Sequence, residues 1–290
     1  MKNTLLSVTA AMLASLVSVQ PAAAHEAAVI LSETDEGLPG FTIYRPAATD
    51  AGPAPVVIWG NGACAMNHTP WLPIIERLAA DGYVVIATGE AAGSWVSRRP
   101  GDQSPHYTDD DLERAVDWAA AAAADRQGRY AGQLDGERIA LAGNSCGGIT
   151  STALASRDDR IAAIFILSGG SIGPVASMQD KAAIMGTITA PLMYVVGGEE
   201  DMARAPASQD FSLIPEGVPM LVVGRFAGDH GFVSITPSVV RTVSEMAESW
   251  FDGTLRGDRR AIERLHEEIC STCAADVWSV VETKHLLADD

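Results

Sequence analysis

The chain has 290 residues, 47% of them hydrophobic and 20% charged, a balance that excludes disordered, collagen-like and low-complexity classes and provides for a sizeable core. Its formal net charge of −17 repels phosphate backbones and anionic lipid surfaces, which argues against nucleic acid as a partner. The acidic excess itself reads as a solubility device.

Residues 1–24 begin Met1-Lys2-Asn3, continue through an apolar run from about Leu5 to Val19, and end in Pro21-Ala22-Ala23-Ala24, an A-x-A processing site. The apolar run is shorter than the roughly 20 residues that span a bilayer, and no later stretch supplies a span. The segment therefore reads as an export signal cleaved near Ala24. A periplasmic or secreted chain starting near His25, acting as a monomer, is expected.

Next, 29–32 and 41–44, separated by Gly37 and Pro39, predict an antiparallel hairpin at a sheet edge. A strand over 55–59, a helix over 70–81 and a strand over 83–88 follow. The helix over 109–125 carries acids in its first turn and six consecutive alanines from Ala119 to Ala124, which favour propagation. Then come a strand over 138–142, a helix from about Gly147, a strand over 161–167, a short helix over 178–185, and strands over 192–196 and 220–223. Helices are predicted over roughly 237–251 and 258–268, and the tail from about 252 to 290 reads as a helical extension. Strands apolar along their whole length are buried on both faces, the mark of a mostly parallel sheet with helices on either side. The fold class is α/β. No internal repeat and no Pro-, Gly- or Ser-rich linker divides the chain, so one domain is expected over 25–290.

After the strand over 138–142 the sequence turns through Gly143-Asn144-Ser145-Cys146-Gly147-Gly148 and enters a helix. This is G-x-S-x-G in its required setting, a strained strand-to-helix turn that exposes the serine hydroxyl. A serine needs a histidine as base and a carboxylate that holds the imidazole tautomer. Of the six histidines, His25 sits at the expected N-terminus, His68 and His106 precede the serine, and His266 and His285 lie in the tail. His230 alone follows a strand in the last third, in the glycine-flanked Gly228-Asp229-His230-Gly231. The acid is expected after the preceding strand, where Glu199, Glu200 and Asp201 compete; Asp201 is chosen for its distance from the strand end, with Glu200 as fallback. Oxyanion donors are expected at the Cys146 N–H and in Gly60-Asn61-Gly62-Ala63-Cys64, with Asn61 first and Gly62 next. No cofactor is required.

If both loops reach one oxygen, Cys64 and Cys146 fall within disulfide range, and export makes a Cys64–Cys146 bridge the expected outcome. Cys270 and Cys273 are left to close a small local loop. Zinc at Cys270-x-x-Cys273 is the rival, but His266 and His285 do not complete a known ligand spacing. The segment from Gly93 to Tyr107, with Trp95, Arg98, Arg99 and His106, and the pair Ser171 and Ile172 are candidates for bordering the cleft, since such folds bind ligands at strand ends.

The residues Trp59–Cys64, Ala80–Ala87, Gly143–Gly148, Asp201 and Asp229–Gly231 resemble the α/β-hydrolase superfamily, and its secreted branch near dienelactone hydrolases, chlorophyllases and poly(ethylene terephthalate) hydrolases. The tail, with Gly257-Asp258, Cys270-x-x-Cys273 and Trp278-Ser279-Val280, looks like a family extension. Dienelactone hydrolases place cysteine at the position of Ser145; the polyester hydrolases place methionine at that of Cys146 and an aromatic residue at that of Asn61. Those departures mean that polymer cleavage does not transfer; the resemblance implies the fold and ester-type hydrolysis without a substrate, with Ser145, His230 and Asp201 as the expected triad and a small-molecule or polymeric ester as the expected partner. A peptidase or thioesterase using the same triad, and a non-catalytic binding protein on this scaffold, are the alternatives.

Overall fold

The run Val56-Val57-Ile58-Trp59 is fully buried at every position, because successive strand side chains face opposite sides of a sheet and here both sides are covered. The computed structural model of the chain describes residues 29–47, 52–91, 105–170, 178–232, 236–273 and 277–286. The expected export signal, Trp95, Arg98, Arg99, Ser171 and Ile172, and the side chains of Cys270 and Cys273, lie outside the described residues.

In chain order the strands are β1 (Ile30–Glu33), β2 (Phe41–Pro46), β3 (Ala54–Gly60), β4 (Val84–Thr88), β5 (Leu134–Asn144), β6 (Ile161–Leu167), β7 (Leu192–Val196), β8 (Met220–Arg225) and β9 (Trp278–Lys284). They form one sheet in the order β1-β2-β4-β3-β5-β6-β7-β8-β9. The six strands from β4 to β8 in that order are mutually parallel. The hairpin β1–β2 closes one edge antiparallel to β4, and β9 closes the other antiparallel to β8. This is the α/β-hydrolase arrangement, with a mostly parallel sheet and helices on both faces.

The helices are α1 (Leu72–Ala80), α2 (Asp109–Ala124), α3 (Cys146–Ala155), α4 (Met178–Met185), α5 (Arg204–Leu213), α6 (Pro237–Leu255) and α7 (Arg259–Cys273). Val57 and Trp59 join a core with Ile74, Ile75 and Leu78 of α1, Met246, Trp250 and Phe251 of α6, and Leu265 of α7. Val56 and Ile58 join the opposite core, with Leu112 and Val116 of α2, Leu154 of α3, Met185 of α4 and Ala207 of α5. Each large aliphatic side chain so placed contributes about 1.5–3 kcal/mol relative to exposure. The start of α2 is set by a capping box between Thr108 and Asp111, which satisfies helix-end N–H groups that have no intrahelical acceptor. Among the described residues no helix is long and apolar enough to cross a membrane.

Two elements were not foreseen, and one expectation is corrected. The segment α5 buries only Ala207 and Asp210, too few apolar positions to declare a helical stripe. The tail from about 252 to 290 is not helical throughout: after α7 it returns as strand β9. Along β9 only Trp278 is buried and the remaining positions are intermediate or exposed, as an edge strand allows, so its sequence lacks the apolar run of a central strand.

The pairing of β3 with β5 positions the site. Gly60 stands opposite Gly143, so the loop after β3 and the turn after β5 leave the sheet side by side. A Cβ on Gly147, in the first turn of α3, would collide with the carbonyl oxygen of Gly60, which is backbone and cannot swing aside. Glycine there lets the helix start against β3. Gly147→Ala is expected to destabilise the protein by roughly 3 kcal/mol through this overlap, read as a lowered urea midpoint at unchanged slope.

Candidate active site

Ser145 occupies the turn between β5 and α3 with φ 52° and ψ −109°, a left-handed conformation that costs a non-glycine residue about 1–3 kcal/mol and marks sites where surroundings impose it. The surroundings here are hydrogen bonds: the Ser145 N–H donates to the Leu167 carbonyl at 2.9 Å, and its own carbonyl accepts from Gly148 and Ile149 at 2.9 and 3.2 Å. The Asn144 amide adds a bond to the same Leu167 carbonyl at 3.1 Å.

His230 lies 2.8 Å from Ser145, Nε2 to Oγ, and 2.8 Å from Asp201, Nδ1 to Oδ1. A carboxylate accepts only, so Nδ1 carries the proton and Nε2 is left to accept from the serine hydroxyl. The histidine is held by its loop. Gly231 N–H donates to the Asp229 carboxylate at 2.9 Å, and Gly198 N–H, in the loop after β7, donates to the Gly228 carbonyl at 2.7 Å. Two residues beyond the histidine, Phe232 is buried against Trp278 of β9 with ring centroids 6.1 Å apart, and the Arg225 guanidinium lies over both rings. The unforeseen strand thus anchors the histidine loop.

Of the three competing acids, the structure brings Asp201 to the histidine; Glu199 and Glu200 are exposed, and Glu199 faces Arg204 at 3.5 Å. Asp201 is 3% exposed. Its Oδ1 accepts from His230 and from the Ala203 N–H at 2.9 Å, and its Oδ2 from the Gly197 N–H at 2.7 Å and the Ser168 hydroxyl at 2.9 Å. Burial pushes its pKa up, but the bonds from His230, Ala203, Gly197 and Ser168 outweigh that and hold the carboxyl below its usual value. Ser168, with φ 40°, was not foreseen; its position directly after β6 was the available signal, because ligand-binding and catalytic groups gather at strand ends.

Beside Ser145 and His230 opens a cavity of about 240 Å³, walled by Gly62, Ala63, Pro70, Trp71, Asn144 and Gly231. Trp71 packs on the fully buried Trp59 at a centroid distance of 5.9 Å. Trp71 stands in a single 3-10 turn (Thr69–Trp71) ahead of α1, where no periodicity marks it as a wall of the cavity. Asn61, expected to present its N–H, is fully buried behind this wall, whereas Gly62, second in that expectation, lines the cavity. The Asn61 amide group donates to the carbonyls of Ala65 at 2.8 Å and Thr88 at 2.7 Å and to the Thr88 hydroxyl at 2.8 Å. His68 backs the same loop: Tyr44 donates its hydroxyl to Nε2 at 2.7 Å and Nδ1–H reaches the Thr88 carbonyl at 3.2 Å. Burial lowers its pKa and keeps it neutral in this role.

Cys64 and Cys146 form the expected disulfide, with Cα atoms 5.3 Å apart. It joins the loop after β3 to the first residue of α3, whose N–H has no intrahelical acceptor. Ala63 and Cys64 carry φ of 55° and 50°, so the bridge fixes two left-handed residues beside the serine. His106 forms an isolated antiparallel bridge with Ala65 of the same loop. Among the described residues no group of three or more His, Cys, Asp and Glu side chains is arranged to hold a metal ion.

With this geometry in place, comparison with known families finds a match over residues 10–268 to the family described as PETase, PET hydrolase-like. A search of curated proteins finds no match. The chain belongs to the PET hydrolase-like family, within the α/β-hydrolase superfamily, and membership implies hydrolase activity on esters.

Two outcomes follow from the hydrogen bonds and the bridge. Because Asp201 has a lowered folded-state pKa, the stability it contributes is present above its unfolded value, ordinarily about 3.9, and is lost as pH falls through the folded value. Ser168→Ala removes one bond to the ionised form, so the acid-unfolding midpoint, followed by near-UV circular dichroism, is expected to move to higher pH. Reducing Cys64–Cys146 releases a loop spanning a sequence separation of 82 and is expected to lower the unfolding free energy by about 4 kcal/mol in the chain-entropy picture, measured by urea titration with and without dithiothreitol.

Proposed function

We propose that this member of the PET hydrolase-like family is an exported serine hydrolase that cleaves carboxylic esters through an acyl-enzyme intermediate. The observation that carries the reading is the unbroken line Ser145–His230–Asp201, two hydrogen bonds of 2.8 Å each, opening onto a cavity.

Ser145 Oγ attacks the ester carbonyl while His230 Nε2 takes the hydroxyl proton. Asp201, ionised and four times hydrogen-bonded, stabilises the imidazolium and fixes its orientation. The carbonyl oxygen becomes negative in the tetrahedral intermediate and is held by backbone donors: the Cys146 N–H, and one from the wall after β3. Each such donor is worth about 10²–10³ in rate. His230 then returns the proton to the departing alkoxide, leaving the acyl group on Ser145. Water, deprotonated by the same imidazole, releases the acid.

The apolar wall of Ala63, Pro70 and Trp71 and the volume of about 240 Å³, below the range of about 300–1,000 Å³ usual for drug-sized ligands, support an ester with a small apolar group beside the scissile carbonyl. That group belongs to a free small molecule or to one unit of a polymer. The Cys64–Cys146 bridge supports an oxidising compartment and agrees with reading 1–24 as an export signal.

Ser145→Ala is expected to lower turnover of p-nitrophenyl butyrate by about 10³-fold or more with an unchanged circular dichroism spectrum. A fluorophosphonate probe is expected to label Ser145 in the wild-type protein. Turnover surviving the substitution would refute the assignment.

A further inference from the structure

Tyr107, immediately before the capped start of α2, touches both ends of the wall after β3. Its hydroxyl donates to the Asn61 carbonyl at 2.6 Å, and its N–H donates to the Cys64 carbonyl at 3.1 Å. The residue is 2% exposed and its ring belongs to the core. A side chain on Gly60 would sit 2.8 Å from the Tyr107 oxygen, so glycine at that position admits the hydroxyl.

The Asn61–Gly62 peptide unit shares one plane. In a trans peptide the C=O and the N–H point to opposite sides, and the described chain contains no cis bond. Tyr107 fixes the Asn61 carbonyl toward the buried side. The Gly62 N–H therefore points the other way, and Gly62 lines the cavity beside Ser145 while Asn61 does not. The side chain of Asn61 is held independently by Ala65 and Thr88, which fixes its Cα, and rotation of the peptide plane from there breaks the Tyr107 bond. Burial raises the Tyr107 pKa further above the working range, which keeps its hydroxyl a donor.

We propose that Tyr107 is a positioning residue for ester hydrolysis: through the Asn61 carbonyl, its hydroxyl orients and polarises the Asn61–Gly62 peptide so that the Gly62 N–H acts as the second oxyanion donor, opposite the Cys146 N–H. The proposal rests on the serine-hydrolase reading above. A hydrogen bond to the carbonyl end of a peptide strengthens the donor at its other end by roughly 10–30%, and the same bond prevents the small rotation that would take the N–H off the developing charge.

Tyr107→Phe keeps the ring and removes only the hydroxyl. The expected result is a fall in kcat of about 5- to 20-fold, a fraction of the 10²–10³ of a whole donor, with KM within about twofold. The inhibition constant of butylboronic acid, whose tetrahedral adduct on Ser145 places an oxygen where the oxyanion forms, is expected to rise by a similar factor, while inhibition by butyrate is unchanged. The proposal is overturned if kcat and boronate affinity both hold, or if kcat and KM suffer together without selective loss of boronate binding. Should the variant not fold, 3-fluorotyrosine at position 107 preserves the shape and strengthens the donor; tighter boronate binding relative to KM supports the proposal and unchanged binding overturns it. Persistent turnover in Ser145→Ala would instead remove the underlying reading, which separates the two failures.

Discussion

The close backbone contact among Gly60, Gly143 and Gly147 is the constraint from which the site follows. Because none of the three carries a Cβ, α3 begins against the end of β3 rather than a side-chain width away. That proximity puts Gly62, Ala63 and Ser145 around one small space, and it brings the two cysteines to the separation a disulfide needs. Ser145, Ala63, Cys64 and Ser168 all take positive φ without being glycine, and all stand in the turns that follow β3, β5 and β6. Strain of this kind persists where packing and hydrogen bonds over-determine the backbone, and the double-sided core beneath supplies that determination.

Asp201 and His230 are held by a different device. Asp201 is buried yet kept ionised because every lone-pair direction of its carboxylate meets a donor, two of them backbone N–H groups of its own loop. A buried carboxylate without those bonds would be pushed toward protonation and would lose its hold on the imidazole. The loops carrying Asp201 and His230 are tied by the Gly198–Gly228 bond, and the histidine loop is weighted down by Phe232 on Trp278. Strand β9, far from Ser145 in sequence, thereby helps hold His230 between Asp201 and Ser145.

Legibility in the sequence followed the physics of each element. Central strands could be located almost to the residue because two-sided burial demands an uninterrupted apolar run, as in 161–167 and 192–196, where the observed β6 and β7 coincide with the expectation. The elbow was readable because a strained turn packed between strand and helix tolerates only glycine at set distances from the serine. Strand β9 and helix α5 were not readable: one is an edge strand with a half-buried face, the other a helix with little apolar face, and neither leaves a periodic mark. Asn61 was expected to offer an oxyanion N–H; its side chain is spent bracing the loop against Ala65 and Thr88. Its residue type and spacing did not say whether its amide group faced the cavity or the neighbouring strand.

The amino-acid sequence by itself determined the α/β class, the serine at its elbow, the single well-placed histidine and the short list of acids, because these depend on local backbone geometry and on the scarcity of suitable side chains. Only the tertiary structure decided which of three adjacent acids turns inward, that Ser168 completes its hydrogen bonds, that Gly62 rather than Asn61 reaches the cavity, and that Tyr107 grips the loop from behind. Those outcomes turn on the direction of individual bonds between segments dozens of residues apart. Direction is a property of how packed elements meet, and no spacing along one chain encodes it.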